Sequence, residues 1–273
     1  MFTVASKYRT ILELCLVERL TYRSDFFFGT LLRFMPIITT IFLWEAVFAG
    51  SSETKIAGLT ARQMVAYYLL VLVSRAFSSM PGLANGIAID IREGNIKKYL
   101  TQPVNMIGFL FTMRLAHKLV YYGVAAGPFA IVFYLCREFF DGWPSPLVLS
   151  AYVFSLVLAF AIGFLFESLV GMLAFWVLEI SSFNFIIIML NYLLSGHMFP
   201  LDLFPPGFRE VVRWLPFQYM AYFPAILFLQ GDSMSTSELA GAIGGQAAMA
   251  FALFVLLQWA YRRGLVRYSA FGG

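Results

Sequence analysis

Residues 147–166 read LVLSAYVFSLVLAFAIGFLF and contain no charged side chain. About 20 apolar residues suffice for a helix to cross a bilayer, and a backbone in lipid must satisfy its own hydrogen bonds. Five other stretches have a similar length and character, and the full set is 26–49, 64–87, 105–135, 147–178, 181–199 and 236–261. The sequence therefore predicts an all-α membrane protein in which six transmembrane helices form a single domain, residues 1–273.

The composition agrees with this prediction. Hydrophobic residues make up 60% of the chain and charged residues only 12%, whereas soluble domains carry about 25% charged residues. A net charge of +4 would suggest a nucleic-acid partner for a soluble protein. In a membrane protein, positive charges instead report topology, so we expect membrane lipid and no nucleic acid as a partner.

The distribution of Lys and Arg predicts the orientation. With a cytoplasmic N-terminus, 12 of the 19 Lys and Arg residues fall in inner segments, and these include Arg114 and Lys118. Because cytoplasmic loops are enriched in Lys and Arg, we expect both termini in the cytoplasm.

The first 23 residues have the pattern of an amphipathic helix. Apolar side chains recur at helical spacing at Tyr8, Ile11, Leu12, Cys15, Leu16 and Leu20. Such a helix lies along the membrane surface rather than crossing it. The alternative is a cytosolic helix that packs on a partner protein.

Residues 89–104, IDIREGNIKKYLTQPV, connect the second and third apolar stretches. The segment 88–103 combines dense charge with apolar side chains, and Pro103 would end its helix. It can dock its apolar side while it offers charges to a cytosolic partner. The alternative is a solvated connector.

A second distinctive segment, 199–230, follows the fifth stretch. Residues 194–207 read LSGHMFPLDLFPPG, and a short amphipathic helix follows them. The apolar piece that starts at Phe217 is too short to cross a bilayer and has a proline near each end. We therefore expect re-entrant or interfacial helices at the outer surface.

In this order, the segments resemble the type-2 ABC exporter permeases, and in particular the bacterial branch in which permease and ATPase are separate polypeptides. The resemblance covers essentially the whole chain and rests on GNIKKYLTQP at 94–103, LSGHMFPLDLFP at 194–205 and LPFQY at 215–219. It implies that residues 1–23 are the elbow helix, 88–103 the coupling segment that contacts the ATPase, and 199–230 the outer re-entrant segment. It also implies a second permease subunit, identical or a sister chain, two ATPase subunits, and a bacterial inner membrane.

Six residues of the coupling segment are expected to contact the ATPase. Arg92, Glu93 and Lys97 offer charges, whereas Ile96, Tyr99 and Leu100 offer apolar contacts.

The motifs that the chain lacks favour a transporter subunit over an enzyme. It contains no GxxxxGK[ST] phosphate loop, so we expect ATP and Mg²⁺ to bind to the ATPase and no cofactor to bind here. The two histidines, His117 and His197, fall on opposite sides of the predicted membrane, so we expect no metal site. The alternative function is a secondary transporter driven by an ion gradient, which would be expected to show internal repeats and several intramembrane acids. An intramembrane enzyme would need clustered catalytic polar residues, which the sequence does not suggest.

Two charged residues and two glycines complete the candidate residues. Arg75 and Glu167 lie at similar predicted depth, where a charge is costly, so they could pair across helices. They would then either line a translocation path or provide polar packing between helices. Gly241 and Gly245 form a GxxxG pattern, which allows close helix packing.

The topology gives the first testable prediction. In a background without Cys136, we expect Ser52→Cys to react with an impermeant maleimide from outside sealed cells. We expect Ala270→Cys to react only after the cells are permeabilised. External labelling of Ala270→Cys would contradict a cytoplasmic C-terminus.

Overall fold

The computed structural model describes residues 4–20, 23–177 and 179–271. In these ranges the chain forms eleven α-helices, with short 3₁₀ turns between some of them. Their bounds are α1 Val4–Leu20, α2 Arg23–Ala49, α3 Ala61–Ser78, α4 Leu83–Arg92, α5 Lys97–Thr101, α6 Met106–Leu135, α7 Pro146–Met172, α8 Ser181–Leu194, α9 Pro206–Arg213, α10 Tyr222–Gln230 and α11 Thr236–Phe271. The prediction of an all-helical protein is confirmed.

Four helical segments are long and apolar enough to cross a membrane: Ala61–Arg92, Met106–Leu135, Pro146–Phe175 and Thr236–Tyr268. They correspond to the second, third, fourth and sixth predicted spans. Two shorter apolar helices, Phe34–Ala49 and Ser181–Leu194, lie at the first and fifth. The total of six spans remains a prediction.

The second span is interrupted. The apolar stretch 64–87 forms two helices, because α3 ends at Ser78 and α4 begins only at Leu83. Pro81 lacks a backbone N–H and disfavours helical geometry at the preceding residue. Gly82 adopts a φ of +71°, a conformation that a side chain would strain. The span therefore contains a backbone break between its two helices.

The broken span packs tightly on α7, and two glycines allow the close approach. A Cβ at Gly163 would lie 1.9 Å from the carbonyl oxygen of Ser78, at the end of α3. A Cβ at Gly171 would lie 2.8 Å from the Cβ of Ile87 in α4. Both halves of the broken span thus contact α7 at positions where only glycine fits.

The N-terminal helix α1 packs against α6. Tyr8 lies directly over Gly108 in the first turn of α6. The half-buried positions of α1 include Tyr8, Ile11, Leu12, Cys15 and Leu16, which are the predicted stripe apart from Leu20, whose side chain lies outside the described part. Residues 1–3 and 21–22 of the predicted elbow helix also lie outside it.

The segment after α8 folds into short helices that differ in burial. Helix α9 is largely exposed, with Phe208 and Val211 facing outward and Val212 buried. Helix α10 packs against α3 and α7, where Ala225 and Leu227 are fully buried. The final helix α11 also packs along α7. Of its predicted packing glycines, Gly245 faces the Tyr219 hydroxyl, whereas no described atom lies within 4 Å of a Cβ at Gly241.

The contact at Gly163 gives a prediction about stability. We expect Gly163→Ala to lower the free energy of unfolding by about 1–3 kcal/mol or more, because the new methyl group overlaps a backbone oxygen that cannot move freely. A suitable control is Gly123→Ala in α6, where a Cβ meets nothing within 4 Å. This control should leave stability unchanged or slightly higher. The measurement is detergent unfolding of the purified protein, and equal stability of the two variants would contradict the packing.

Candidate functional site

The break in the second span exposes backbone carbonyls, and side chains from α6 satisfy them. The Lys118 ammonium donates hydrogen bonds to the carbonyl oxygens of Ala76, at 2.5 Å, and Ser79, at 2.7 Å. Arg114, one turn earlier, donates to the carbonyl oxygen of Pro81 at 3.0 Å. The last carbonyls of a helix have no partner within it and carry partial negative charge, so cations stabilise them.

An acidic side chain faces the other side of the break. The Glu167 carboxylate accepts a hydrogen bond from the backbone amide of Ala84, in the first turn of α4. The first amides of a helix lack partners and favour a negative charge. Lys118 therefore meets the end of α3, Arg114 meets the linker, and Glu167 meets the start of α4.

Glu167 and Arg75 also lie within electrostatic reach of each other, as their predicted depths suggested. Arg114 also lies within electrostatic reach of the Glu167 carboxylate. Glu167 thus interacts with two cations from two helices. That Arg75 and Glu167 line a translocation path, or that they provide polar packing between helices, stays a prediction.

A cavity of about 470 Å³ lies beside α3. One stripe of α3 lines it at the spacing of a single helix face: Tyr68, Val71, Leu72, Arg75, Ala76 and Ser79. The opposite walls come from α2, α6 and α8 and from the loop after α8. Arg75 is the charged residue of this lining, and the volume lies within the usual range for small-molecule sites.

The loop that follows α8 forms part of the cavity wall. The Tyr67 hydroxyl donates to the carbonyl of Gly196 at 2.6 Å, and the Tyr68 hydroxyl donates to that of Met198 at 2.8 Å. Gly196 has a φ of +79° and lies so close to Tyr67 that a Cβ would clash. The neighbouring His197 also lines the cavity, and its ring packs edge-on against Tyr192. Two consecutive tyrosines of α3 therefore hold this loop in place.

The predicted coupling segment divides into buried and exposed residues. Ile96 and Tyr99 are buried in the subunit itself, and Tyr99 packs on Phe109 of α6. Burial also raises the pKa of the Tyr99 hydroxyl. Neither side chain is therefore accessible as a contact for a partner in this conformation.

The other four predicted contacts, Arg92, Glu93, Lys97 and Leu100, are exposed. Leu100 is the apolar one, with about half of its surface accessible (51%). Arg92 forms an ion pair with Glu179 at 3.1 Å, and the Ser181 hydroxyl lowers the pKa of that carboxyl. The ion pair between Arg92 and Glu179 links the predicted coupling segment to the part of the chain between α7 and α8.

Sequence reasoning missed the role of two residues at the break. It treated Arg114 and Lys118 as inner-surface charges, whereas both lie within α6 and bind backbone carbonyls of the broken span. The signal was present, because an ionisable residue within an apolar helix needs a partner. Among the described residues, no group of three or more His, Cys, Asp or Glu side chains is placed to hold a metal ion.

The surroundings of Glu167 give a prediction about coupling energies. We expect Glu167→Gln and Arg114→Gln to be non-additive in unfolding free energy, by about 1 kcal/mol or more, because each removes a charge that attracts the other. The Glu167–Arg75 cycle should be non-additive for the same reason. A cycle with the exposed Arg62 should be additive. Additivity in both of the first two cycles would show that Glu167 pairs with neither cation.

Comparison with known proteins identifies the family. The profile described as ABC-2 family transporter protein matches residues 34–272. No curated protein matches the chain. The match covers the broken span, the coupling segment and the outer segment, and it agrees with the resemblance found in the sequence. The chain therefore belongs to the ABC-2 transporter family and is a membrane component of an ABC transporter.

Proposed function

We propose that this chain is the permease subunit of an ABC exporter, which forms the translocation path and is driven by a separate ATPase. The observation that carries the proposal is that the two helices of the second span connect the cavity to the predicted coupling segment. Its outer half, α3, lines the cavity, and its inner half, α4, leads directly into the coupling segment. A force applied to the coupling segment would therefore reach the cavity wall through one interrupted helix.

The break is suited to transmit such a movement. Lys118 and Arg114 extend from α6 and bind carbonyl oxygens at the end of α3 and in the linker. Glu167 extends from α7 and binds a backbone amide in the first turn of α4. Rotation of α4 about residues 79–82 would change how these side chains bridge the two halves. In this mechanism, closure of the ATPase dimer moves α4, and the cavity is exposed alternately to the two sides of the membrane.

The complex that we propose contains two copies of the ATPase and a second permease subunit, identical or a sister chain, in the bacterial inner membrane. The ATPase would bind ATP and Mg²⁺. Both termini and the coupling segment 88–103 would face the cytoplasm, and the segment 199–230 would enter the outer leaflet. The exposed surfaces of α2, α6, α8 and α11 support a location in lipid, because many large apolar side chains of these helices are exposed.

The experiment that tests this function is purification of the tagged chain from its native membranes. We expect an ATPase with a phosphate loop to copurify, and the complex to hydrolyse ATP in a vanadate-sensitive manner. Substrate transport by the chain alone, powered by an ion gradient and without an ATPase, would instead establish a secondary transporter.

The exposure of the coupling residues sharpens the prediction for individual variants. We expect Leu100→Ala to reduce recovery of the ATPase more than Lys97→Ala, because binding energy concentrates in apolar anchors and charges at a rim contribute little. Recovery is compared at equal amounts of permease in the membrane. Undiminished recovery with Leu100→Ala would exclude this residue as an anchor.

Tyr99→Ala serves as the matched comparison. Since Tyr99 is buried within the subunit, we expect this variant to lower the stability of the permease itself. A loss of ATPase recovery with unchanged permease stability would show that Tyr99 reaches the partner directly.

A further inference from the structure

The cavity beside α3 has an apolar body and a single cationic position. Six aromatic side chains contribute to its walls: Phe34, Trp44, Tyr68, Tyr121, Phe129 and Tyr192. Arg75 projects from the middle of the α3 stripe, seven residues after Tyr68 and four before Ser79. At 1.5 Å per residue, the backbone of Arg75 therefore lies roughly 10 Å from that of Tyr68 and about 6 Å from that of Ser79 along the span.

The electrostatics of the region favour an anion. The lining residues that the structure describes include Arg75 and contain no Asp or Glu. Glu167 interacts electrostatically with Arg75, and it also interacts with Arg114 and with the amide of Ala84. Lys118 adds a further buried cation at the same break. Cations thus outnumber acids around this part of the cavity, and their effect is stronger in the low dielectric of a membrane interior.

The shape of the guanidinium indicates which anionic groups would bind to Arg75. Arginine presents a planar set of N–H donors that matches carboxylate or phosphate oxygens in a bidentate arrangement. The aromatic walls suit a hydrophobic body. At the outer end, the buried Nδ1 of His197 has no hydrogen-bond partner among the described residues.

We propose that this cavity binds amphiphiles that carry one anionic group on an apolar body, with Arg75 as the residue that binds the anion. This inference rests on the proposed function, because it names the class of substrate that the exporter would carry. The anionic group would contact Arg75, and the apolar body would lie along the aromatic walls. A phospholipid and a soluble fatty-acid-like anion share this chemistry.

The test is direct binding to the purified permease in nanodiscs of zwitterionic lipid, without ATP or an ATPase. The probes are dansyl-labelled undecanoate and its methyl ester, which share the apolar body and differ in charge. We expect the carboxylate to bind roughly tenfold more tightly or better, the gain typical of a charge-assisted hydrogen bond. Competition by laurate but not by phosphatidylglycerol would support a soluble anion, and the reverse a lipid. Equal affinity for the carboxylate and the ester would overturn the proposal.

Matched variants test whether Arg75 is the residue that binds the carboxylate of the probe. Arg75→Gln should lower the affinity for the carboxylate roughly tenfold and leave that for the ester unchanged, and Arg75→Lys should lie between this variant and the wild type. The control is Arg62→Gln, at the exposed start of the same helix, which should bind as the wild type does. Undiminished carboxylate binding by folded Arg75→Gln would overturn the proposal.

A second variant keeps the test decisive if Arg75→Gln does not fold. Thr40 lines the cavity from α2, and Thr40→Trp should fill space there without removing the charge. We expect it to weaken binding of both probes, and unchanged binding would place the site elsewhere. Because these measurements need no ATPase, a negative result leaves the coupling function standing, whereas loss of ATPase association would not affect probe binding.

Discussion

A backbone that breaks inside a membrane must find hydrogen-bond partners within the protein, since lipid offers none. Here the break lies between Ser78 and Leu83, in the middle of the second span. Lys118 and Arg114 bind carbonyls on one side of the break, and Glu167 binds an amide on the other. Two of the charges within the spans are thereby explained: Lys118 is held against the carboxyl end of α3 and Glu167 against the amino end of α4, where the partial charge of the helix has the opposite sign.

The same arrangement fixes the neighbouring helices. A cation from α6 and an acid from α7 reach the break only if both helices lie beside it. Gly163 permits this approach for α7, since any larger residue would collide with the carbonyl of Ser78. The polar contacts and the close packing therefore depend on each other. A change in one should disturb the other, because packed interfaces switch between discrete arrangements rather than deform continuously.

The broken span also joins the regions that matter for transport. Its first helix holds the loop after α8 through Tyr67 and Tyr68, and places Arg75 at the cavity. Its second helix runs into the predicted coupling segment, where Tyr99 is buried in the subunit and Leu100 is exposed. In the proposed exporter, a contact at the cytoplasmic end can thus act on a binding site in the membrane.

The sequence by itself determined the helical class, the approximate bounds of the apolar helices and the family, because lipid requires long apolar segments that hydropathy reveals directly. Its motifs also predicted a coupling segment and an outer segment. It did not reveal the division of 64–87 into two helices, the contacts of Lys118 and Arg114, or the role of Gly163. These depend on which faces of separate helices meet, and a nearly uniform apolar sequence carries little record of that choice. Only the tertiary structure decided that Tyr99 points inward and Leu100 outward, since neighbouring residues of one helix face different surroundings once the helix is packed.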